Sequence, residues 1–481
     1  MSTEKPWYTT VKLPPGKFHQ LDTDLDKLFA GLEDVGIGPR YVGEIRKGQW
    51  YAELGGPKHE YKSYIFVEVA KNSEEVVDGR VEIIGPELDE LAPETSLPFA
   101  AHIKTWGPQL PDDLLEFVER GAVMGFLFTE GWGLVGARTN MWLRVSKEVK
   151  PRMSWLKMAQ IMRANMISLC PLVEKVEIKW VVATPEVGGK DLVSKMLDEV
   201  LPKWEAIDAR TKQIGDEDVD NFYGCTICKM IAPNHACIVT PSLIPYCGVM
   251  SYFTAKAMYA VDPYGYVFEI PAGDIIDLLS GRYSGVDEAI WERSDHRHRI
   301  FHLYSVIKYP TTNCGCFEAT AFYIPQVDGI GITARRYFGN TPLGIPFSKI
   351  AGLMSGGVQN HGFKGCSIQT VRQPLFLQGD GGWRRIVWMP KDVKLEVADC
   401  IPEQVYDKIA TEEDAVDPAN LEVWLREKKH PIVEEYWKDG KPVPMKIPLP
   451  NQPWEDEPWG EIEHGKRKNF AGSSNEIPFY Q

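Results

Sequence analysis

Six of the nine cysteines in this 481-residue chain fall into two groups, and no other feature constrains its fold as strongly. The first group has the pattern Cys225-x2-Cys228-x8-Cys237-x9-Cys247, and the second is the short motif Cys314-Gly315-Cys316. Clustered cysteines in a reducing compartment are typical of metal ligands. A fold for this chain must therefore wrap several loops around such a site.

Charge and hydropathy favour a reducing, cytoplasmic location. The net charge of −14 disfavours nucleic acid and anionic membrane as partners, because both require a basic face. No apolar run approaches the roughly 18 residues that span a bilayer, and the N-terminus lacks the apolar core of a signal peptide. In the cytoplasm structural disulfides are rare, so the cysteines are expected to be thiols or metal ligands.

The first cysteine group suits either a cubane iron–sulfur cluster or a structural zinc ion. Four thiolates are the usual ligand set for both. Zinc sites usually combine one C-x2-C turn with a second such turn or with a histidine pair, whereas here Cys237 and Cys247 stand singly. The pattern favours a cluster and leaves a zinc-stapled loop open.

The second group indicates a different geometry. Two thiolates separated by one residue, together with the backbone nitrogens between them, can lie in one plane around a metal ion. Square-planar coordination is diagnostic of Ni(II) or Cu(II). Gly315 leaves room for this tight chelate because it has no Cβ.

Helical and strand patterns alternate along the chain and predict an α/β (α+β) multidomain fold. Mixed sheets flanked by helices are expected, with a cluster-bearing C-terminal domain. Helices are predicted from Leu25 onward, over 155–169 and around 193–201; strands are predicted over 64–70, 176–183 and 301–307. The polar run 207–220 indicates a junction. The expected domains are 1–212, 213–400 and an acidic, Pro-rich surface extension over 401–481.

The four-cysteine spacing followed by CGCFE resembles the acetyl-CoA synthase family. The segments Phe322–Arg335, Phe347–Gly365 and Gly382–Lys391 support this resemblance. The pattern is similar to the short archaeal form, the β subunit of the acetyl-CoA decarbonylase/synthase complex, which lacks an N-terminal domain that docks the dehydrogenase.

The resemblance implies a composite centre made of a [4Fe-4S] cubane and two nickel ions. Cys225, Cys228, Cys237 and Cys247 would hold the cubane, and Cys228 would also bind the proximal nickel. Cys314 and Cys316 would bridge the proximal and distal nickel ions. The backbone nitrogens of Gly315 and Cys316 would complete the distal, planar site.

The implied reaction is the reversible joining of CO, a methyl group and coenzyme A into acetyl-CoA. Implied partners are carbon monoxide dehydrogenase subunits, a corrinoid iron–sulfur protein as methyl donor and a ferredoxin-type reductant. Ile231 stands where bacterial members have Phe, so an apolar pocket with an altered shape is expected.

Coenzyme A requires cations for its phosphates and often an aromatic surface for its adenine. Trp132, Arg138 and Arg144 are the candidates, and a basic surface edge with core tryptophans is the competing interpretation. For the whole chain, an iron–sulfur electron-transfer or scaffold subunit is the alternative function. Such a subunit would use the first cysteine group alone.

Overall fold

The computed structural model describes residues 11–30, 48–56, 63–111, 132–136, 139–189, 191–226, 237–246, 248, 250–294, 296–315, 317–452 and 454. The chain divides into two compact units. The first unit comprises residues 1–213 and 249–261, and the second comprises 214–248 and 262–481. No helix among the described residues is long and apolar enough to cross a membrane.

The first unit contains two mixed sheets and four described helices. Its strands are β1 (Lys17–Gln20), β2 (Trp50–Gly55), β3 (Tyr64–Val69), β4 (Arg80–Ile84), β5 (Thr95–Leu97), β6 (Phe99–Trp106), β7 (Trp132–Gly136), β8 (Asn140–Ser146) and β9 (Lys175–Val182). Its helices are α1 (Leu25–Ala30), α2 (Trp155–Leu169), α3 (Asp191–Thr211) and α4 (Tyr252–Val261). One sheet has the order β1-β4-β9-β6-β3 and the other β5-β2-β8-β7.

The first unit follows the periodicity of the sequence closely. Helix α2 spans the residues predicted for it, and the Ser154 side chain caps it by accepting a hydrogen bond from the Lys157 N–H at 3.1 Å. On α3, one apolar face that includes Val193, Met196 and Trp204 packs into the core beside β3. Amphipathic burial of this kind supplies most of the stability of a helix in a protein.

The second unit contains three described sheets and shorter helices. Its strands are β10 (Asn221–Cys225), β11 (Cys237–Val239), β12 (Val267–Pro271), β13 (Ile275–Asp277), β14 (Arg282–Tyr283), β15 (Ala319–Ile324), β16 (Gly329–Ala334), β17 (Phe363–Cys366) and β18 (Ile386–Trp388). Its helices are α5 (Ser284–Arg293), α6 (Phe347–Met354), α7 (Ile368–Val371), α8 (Lys391–Glu396), α9 (Glu403–Tyr406), α10 (Pro418–Glu427) and α11 (Pro431–Glu435). The sheet orders are β11-β10-β12, β13-β14 and β17-β15-β16-β18.

Strand β15 is an inner strand of the four-stranded sheet in the second unit, and every one of its residues is buried. Successive side chains point to opposite faces of a strand. Ala321 and Tyr323 accordingly join one core cluster, whereas Phe322 and Ile324 join another that also contains Cys314. The four-stranded sheet is thus covered on both faces, and the core cluster on one of those faces includes Cys314.

Two expectations from the sequence differ from the structure. Residues 301–307 form a buried irregular segment, because their backbone bonds go to separate loops; the Leu303 N–H donates to Gly281 O and the His302 N–H to Tyr309 O. The sequence also predicts a surface extension after residue 400. The described part of that segment instead supplies core side chains to the second unit, including Val405, Leu425 and Ile432.

Candidate metal centre

Strands β10 and β11 place two of the predicted ligands side by side. The strands pair antiparallel, and Cys225 lies directly opposite Cys237. Directly opposed residues point to the same face with Cβ atoms about 4.5–5.5 Å apart. At the exit of β10 the Thr226 N–H donates to Tyr266 O at 2.9 Å. The hairpin therefore holds two thiols on one face, with residues 227–236 connecting them.

The chain on the N-terminal side of the CGC motif is anchored through Asn313, which is fully buried. Its carbonyl accepts from the Gly357 N–H at 2.8 Å. Its side-chain oxygen accepts from the Gly365 N–H on β17 at 2.7 Å. Two hydrogen bonds from different segments therefore set the position from which Cys314 projects.

The backbone at Gly315 adopts a conformation that favours glycine. Its φ is +118°, outside the regions open to residues with a side chain. A Cβ built there would meet the Ser355 Oγ at 3.4 Å, a contact that is tight rather than impossible. Glycine is therefore required at this position mainly by backbone conformation and less by lack of space.

Side chains from both cysteine groups lie in or against the buried core cluster that contains Tyr246. Tyr246 and Cys314 belong to one buried core cluster, and Cys237 packs against that cluster. The pKa of the Tyr246 hydroxyl is raised well above its ordinary value, first by burial and then by the negative charges of Cys237, Cys314 and Cys366. The fold therefore places thiols separated by more than 70 positions in sequence in, or against, the core cluster that contains Tyr246.

The thiol chemistry here fits the soft metals expected for this chain. Thiolate sulfur binds iron–sulfur clusters and soft transition metals in preference to hard cations such as magnesium and calcium. Cys228, Cys247 and Cys316 lie outside the described residues, as does Ile231, so their ligand and pocket roles stay predictions. Among the residues that the structure describes, no group of three or more His, Cys, Asp or Glu is arranged to hold a metal ion.

The region predicted to bind coenzyme A is described in part. Arg138 lies outside the described residues, and for Trp132 the backbone alone is described, within β7. Arg144 on β8 is buried and lies opposite Glu53 on β2, to which its Nε donates at 2.7 Å. Its guanidinium also lies 4.2 Å from the centroid of the Trp142 ring. A phosphate would have to compete with Glu53 for this cation, and the role in CoA binding stays a prediction.

Sequence reasoning missed two residues near the CGC motif. Tyr246 directly precedes Cys247, and this adjacency was the available signal. Arg335 donates from Nη2 to the carbonyl oxygen of Phe317 at 3.1 Å and to that of Gly315 at 3.4 Å. Arg335 closes a segment that supports the family resemblance, but no spacing rule connects it with the cysteines.

Comparison with known families covers both units. Residues 34–187 match the family model of the CO dehydrogenase/acetyl-CoA synthase complex beta subunit. Residues 204–436 match the model of the C-terminal region of the ACS/CODH beta subunit. The fold and the matched regions together define a multidomain α/β protein whose second unit carries the CGC motif.

Similar proteins come from archaea. Acetyl-CoA decarbonylase/synthase complex subunit beta of Methanothermobacter thermautotrophicus is 40% identical over 404 residues, which are 83% of this chain and 85% of that protein. Subunit beta 2 of Methanocaldococcus jannaschii is 41% identical over 404 residues, 83% of each protein. The chain belongs to the family of acetyl-CoA decarbonylase/synthase complex beta subunits.

A solved structure of the C-terminal domain of an acetyl-coenzyme A synthase alpha subunit is 38% identical in sequence and covers 25% of this chain and 94% of its own. Its TM-score is 0.23, so the superposition adds nothing to the description of the fold.

Proposed function

We propose that this protein is a CO-methylating acetyl-CoA synthase, an acyltransferase that reversibly joins CO, a methyl group and coenzyme A. The observation that carries the proposal is that Cys314 lies in one buried core cluster of the second unit and that Cys237 packs against the same cluster. An electron-transfer cluster requires the first cysteine group alone. The approach of the CGC motif to that group supports a composite centre.

The ligand assignment in this proposal follows the family pattern. Cys225, Cys228, Cys237 and Cys247 would hold a [4Fe-4S] cubane, and Cys228, Cys314 and Cys316 would hold the proximal nickel. The CGC thiolates and the backbone nitrogens of Gly315 and Cys316 would hold a distal nickel. When bound, this group supplies an electron-rich, thiolate-ligated nickel that accepts CO and methyl ligands.

The chain's own residues shape the surroundings of the centre. Phe317 and Tyr246 are buried in the core cluster that contains Cys314, and they exclude water from that side of the CGC turn. Asn313 and Arg335 hold the turn from its two ends. These contacts fix the backbone from which Cys314 projects, so that its thiol is oriented before metal binds.

The names of the relatives support partners within a complex. Because those proteins are subunits of a decarbonylase/synthase complex, and the matching family model describes a complex with CO dehydrogenase, we propose that this chain works beside carbon monoxide dehydrogenase subunits. A corrinoid iron–sulfur protein would deliver the methyl group, and a ferredoxin-type protein would supply electrons. Coenzyme A would approach the first unit near Trp132, Arg138 and Arg144.

Metal analysis of anaerobically purified protein, followed by exchange of CO with the carbonyl of acetyl-CoA, tests the proposal. Near two nickel and four iron per chain, with exchange activity, is expected for the composite centre. Iron without nickel would contradict the synthase and leave an electron-transfer or scaffold subunit. Zinc without iron would instead indicate a zinc-stapled loop.

A further inference from the structure

Antiparallel pairing of β15 with β16 places Arg335 beside the CGC turn. Ala319, the first residue of β15, lies opposite Ala334, the last residue of β16. One position beyond this pair the Arg335 N–H donates to Glu318 O at 2.7 Å. Glu318 lies two positions after Cys316, so the sheet register delivers the Arg335 side chain to the end of the motif.

The guanidinium of Arg335 is held between the turn and an aromatic ring. Its Nη2 donates to Phe317 O at 3.1 Å and to Gly315 O at 3.4 Å. Its Cζ lies 5.0 Å from the centroid of the Phe347 ring, which in turn meets the Phe317 ring edge to face. A guanidinium over an aromatic face is attracted by the ring quadrupole, so the Phe347 ring helps to hold Arg335 in place.

The two accepting carbonyls flank Cys316. The Gly315 carbonyl and the Cys316 nitrogen belong to one peptide group, and its planarity couples the orientation of the oxygen to that of the nitrogen. A cation that holds the oxygen therefore also aims the nitrogen. Charge-assisted hydrogen bonds of this kind are about twice as strong as neutral ones.

We propose that Arg335 is a positioning residue for the nickel held by the CGC turn. This inference rests on the proposed function. Arg335 aims the backbone nitrogen of Cys316 and offsets the negative charge that two thiolates and two metal-bound peptide nitrogens bring to the site. Removing a partner that orients the ligands of a metal typically costs about 10–100-fold in metal affinity.

The next residue provides a matched control. Arg336 pairs with Asp392 and Glu396, both on α8, and its Nη2 lies 2.5 Å from the Glu396 carboxylate. Replacing Arg336 therefore removes an arginine from the same end of β16. The ion pairs that are lost with it are those to α8. Comparing variants at the two positions distinguishes an effect specific to Arg335 from a general loss of packing at this end of β16.

The experiment compares wild type with Arg335→Met, Arg335→Lys and Arg336→Met, each purified anaerobically as the full chain with its metals. The rate of nickel loss to excess EDTA is measured, and nickel X-ray absorption reports the planar site. Iron content and thermal midpoint check the cubane and the fold. Arg335→Met should lose planar nickel about 10–100-fold faster than wild type. Arg335→Lys should be intermediate, and Arg336→Met should match wild type.

Nickel loss at the wild-type rate in Arg335→Met overturns the inference while leaving the proposed function intact. If Arg335→Met lowers iron content or the thermal midpoint more than Arg336→Met does, the rate of nickel loss from Arg335→Lys is the deciding measurement. An intermediate rate in Arg335→Lys supports the inference, and a wild-type rate overturns it. Wild-type protein without nickel overturns the proposed function itself, and this inference with it.

Discussion

At the scale of single residues, the first two positions of the CGC motif have different tasks. Cys314 presents a buried sulfur to the core cluster, whereas Gly315 supplies a backbone conformation. The sequence predicted a glycine chosen for lack of a Cβ. In the structure its positive φ is the stronger reason, and no property of neighbouring residues would have revealed that angle.

Replacing Gly315 with Ala or Val should lower nickel content while leaving iron near wild type. A residue with a Cβ at φ +118° costs about 1–3 kcal/mol, and relaxation of φ would turn the peptide nitrogens away from one plane. Valine should have the larger effect because its branched side chain adds a collision near Ser355. Metal analysis of anaerobic protein measures both effects.

Gly344→Ala is the matched control for Gly315→Ala. Gly344 lies in the same unit with φ +76° and has no atoms within 4 Å of an added Cβ. It should show a similar loss of stability and a normal nickel content. Equal nickel content in the two variants would argue that the conformation at Gly315 has no role in metal binding.

Cys314→Ser should abolish acetyl-CoA formation and keep the cubane absorption. Under the proposed function Cys314 is a nickel ligand, and an alcohol is a poor substitute for a thiolate on a soft metal, whereas the first cysteine group is unchanged. CO/acetyl-CoA exchange and the visible spectrum provide the two readouts. Cys400→Ser, at a partly buried position in the C-terminal part of the second unit, should leave both unchanged. Retained exchange in Cys314→Ser would contradict the assignment.

At the scale of elements, the Phe268 side chain of β12 occupies the space next to Gly224 on β10 that any side chain at position 224 would need. A Cβ on Gly224 would lie 2.1 Å from the Phe268 ring, in the pair directly before Cys225. The Phe268 ring therefore packs directly against the backbone of β10 at Gly224. The position of the Cys225 thiol therefore depends on a glycine that is not itself a ligand.

Gly224→Val should reduce iron content by displacing β10, with a cost in stability of about 1–3 kcal/mol from overpacking. Iron and sulfide analysis after anaerobic reconstitution measures the loss. Combining Gly224→Ala with Phe268→Ala should recover more iron than Gly224→Ala alone, because the smaller residue makes room for the added methyl. No recovery in the double variant would show that the ring does not set the strand position.

Local pattern predicted the elements whose backbone pairs regularly. Helix α2 matches its predicted bounds, and β9 differs from its prediction by one residue at each end. The segment 301–307 had the apolar residues of a strand, but its hydrogen bonds go to separate loops that no local signal reveals. In the site, cysteine spacing gives candidate ligands that stay predictions. The position of Arg335 depends on the register of β15 and β16, and that of Tyr246 depends on packing in the core.

At the scale of the whole molecule, the segment after residue 400 is part of the second unit's core and contains a buried histidine. His430 caps α11 by accepting from the Ile432 N–H at Nδ1, and its Nε2 lies 3.0 Å from Ile386 O. This arrangement requires the neutral ring. Burial lowers the pKa of His430 from 6.5 to about 4.

The protein should lose stability as pH falls from about 6.5 to about 4. In this window the unfolded chain binds a proton at His430 and the folded chain does not, so protons favour unfolding. Denaturant unfolding at about pH 7.5 and pH 5 measures the loss. In His430→Asn the loss should be smaller by about 2 kcal/mol, since Asn can cap the helix and does not titrate.

Other buried groups with shifted pKa values are shared by wild type and His430→Asn. Burial lowers the pKa values of His302 and His361 to about 4. The buried carboxyls of Asp216 and Asp380, whose pKa values are raised by burial, are present in every variant and cancel in the comparison. An unchanged pH dependence in His430→Asn would show that another group controls acid unfolding.

The anchors of the CGC turn also set an order of events during synthesis on the ribosome. The contacts that hold the turn come from chain made after it: Arg335, Gly357 and Gly365. At about 5–20 residues per second, the chain from Cys316 to Gly365 takes roughly 2–10 s to appear. During that interval the cysteines already exist without their framework. Under the proposed function, nickel therefore meets a finished site only after translation has passed this point.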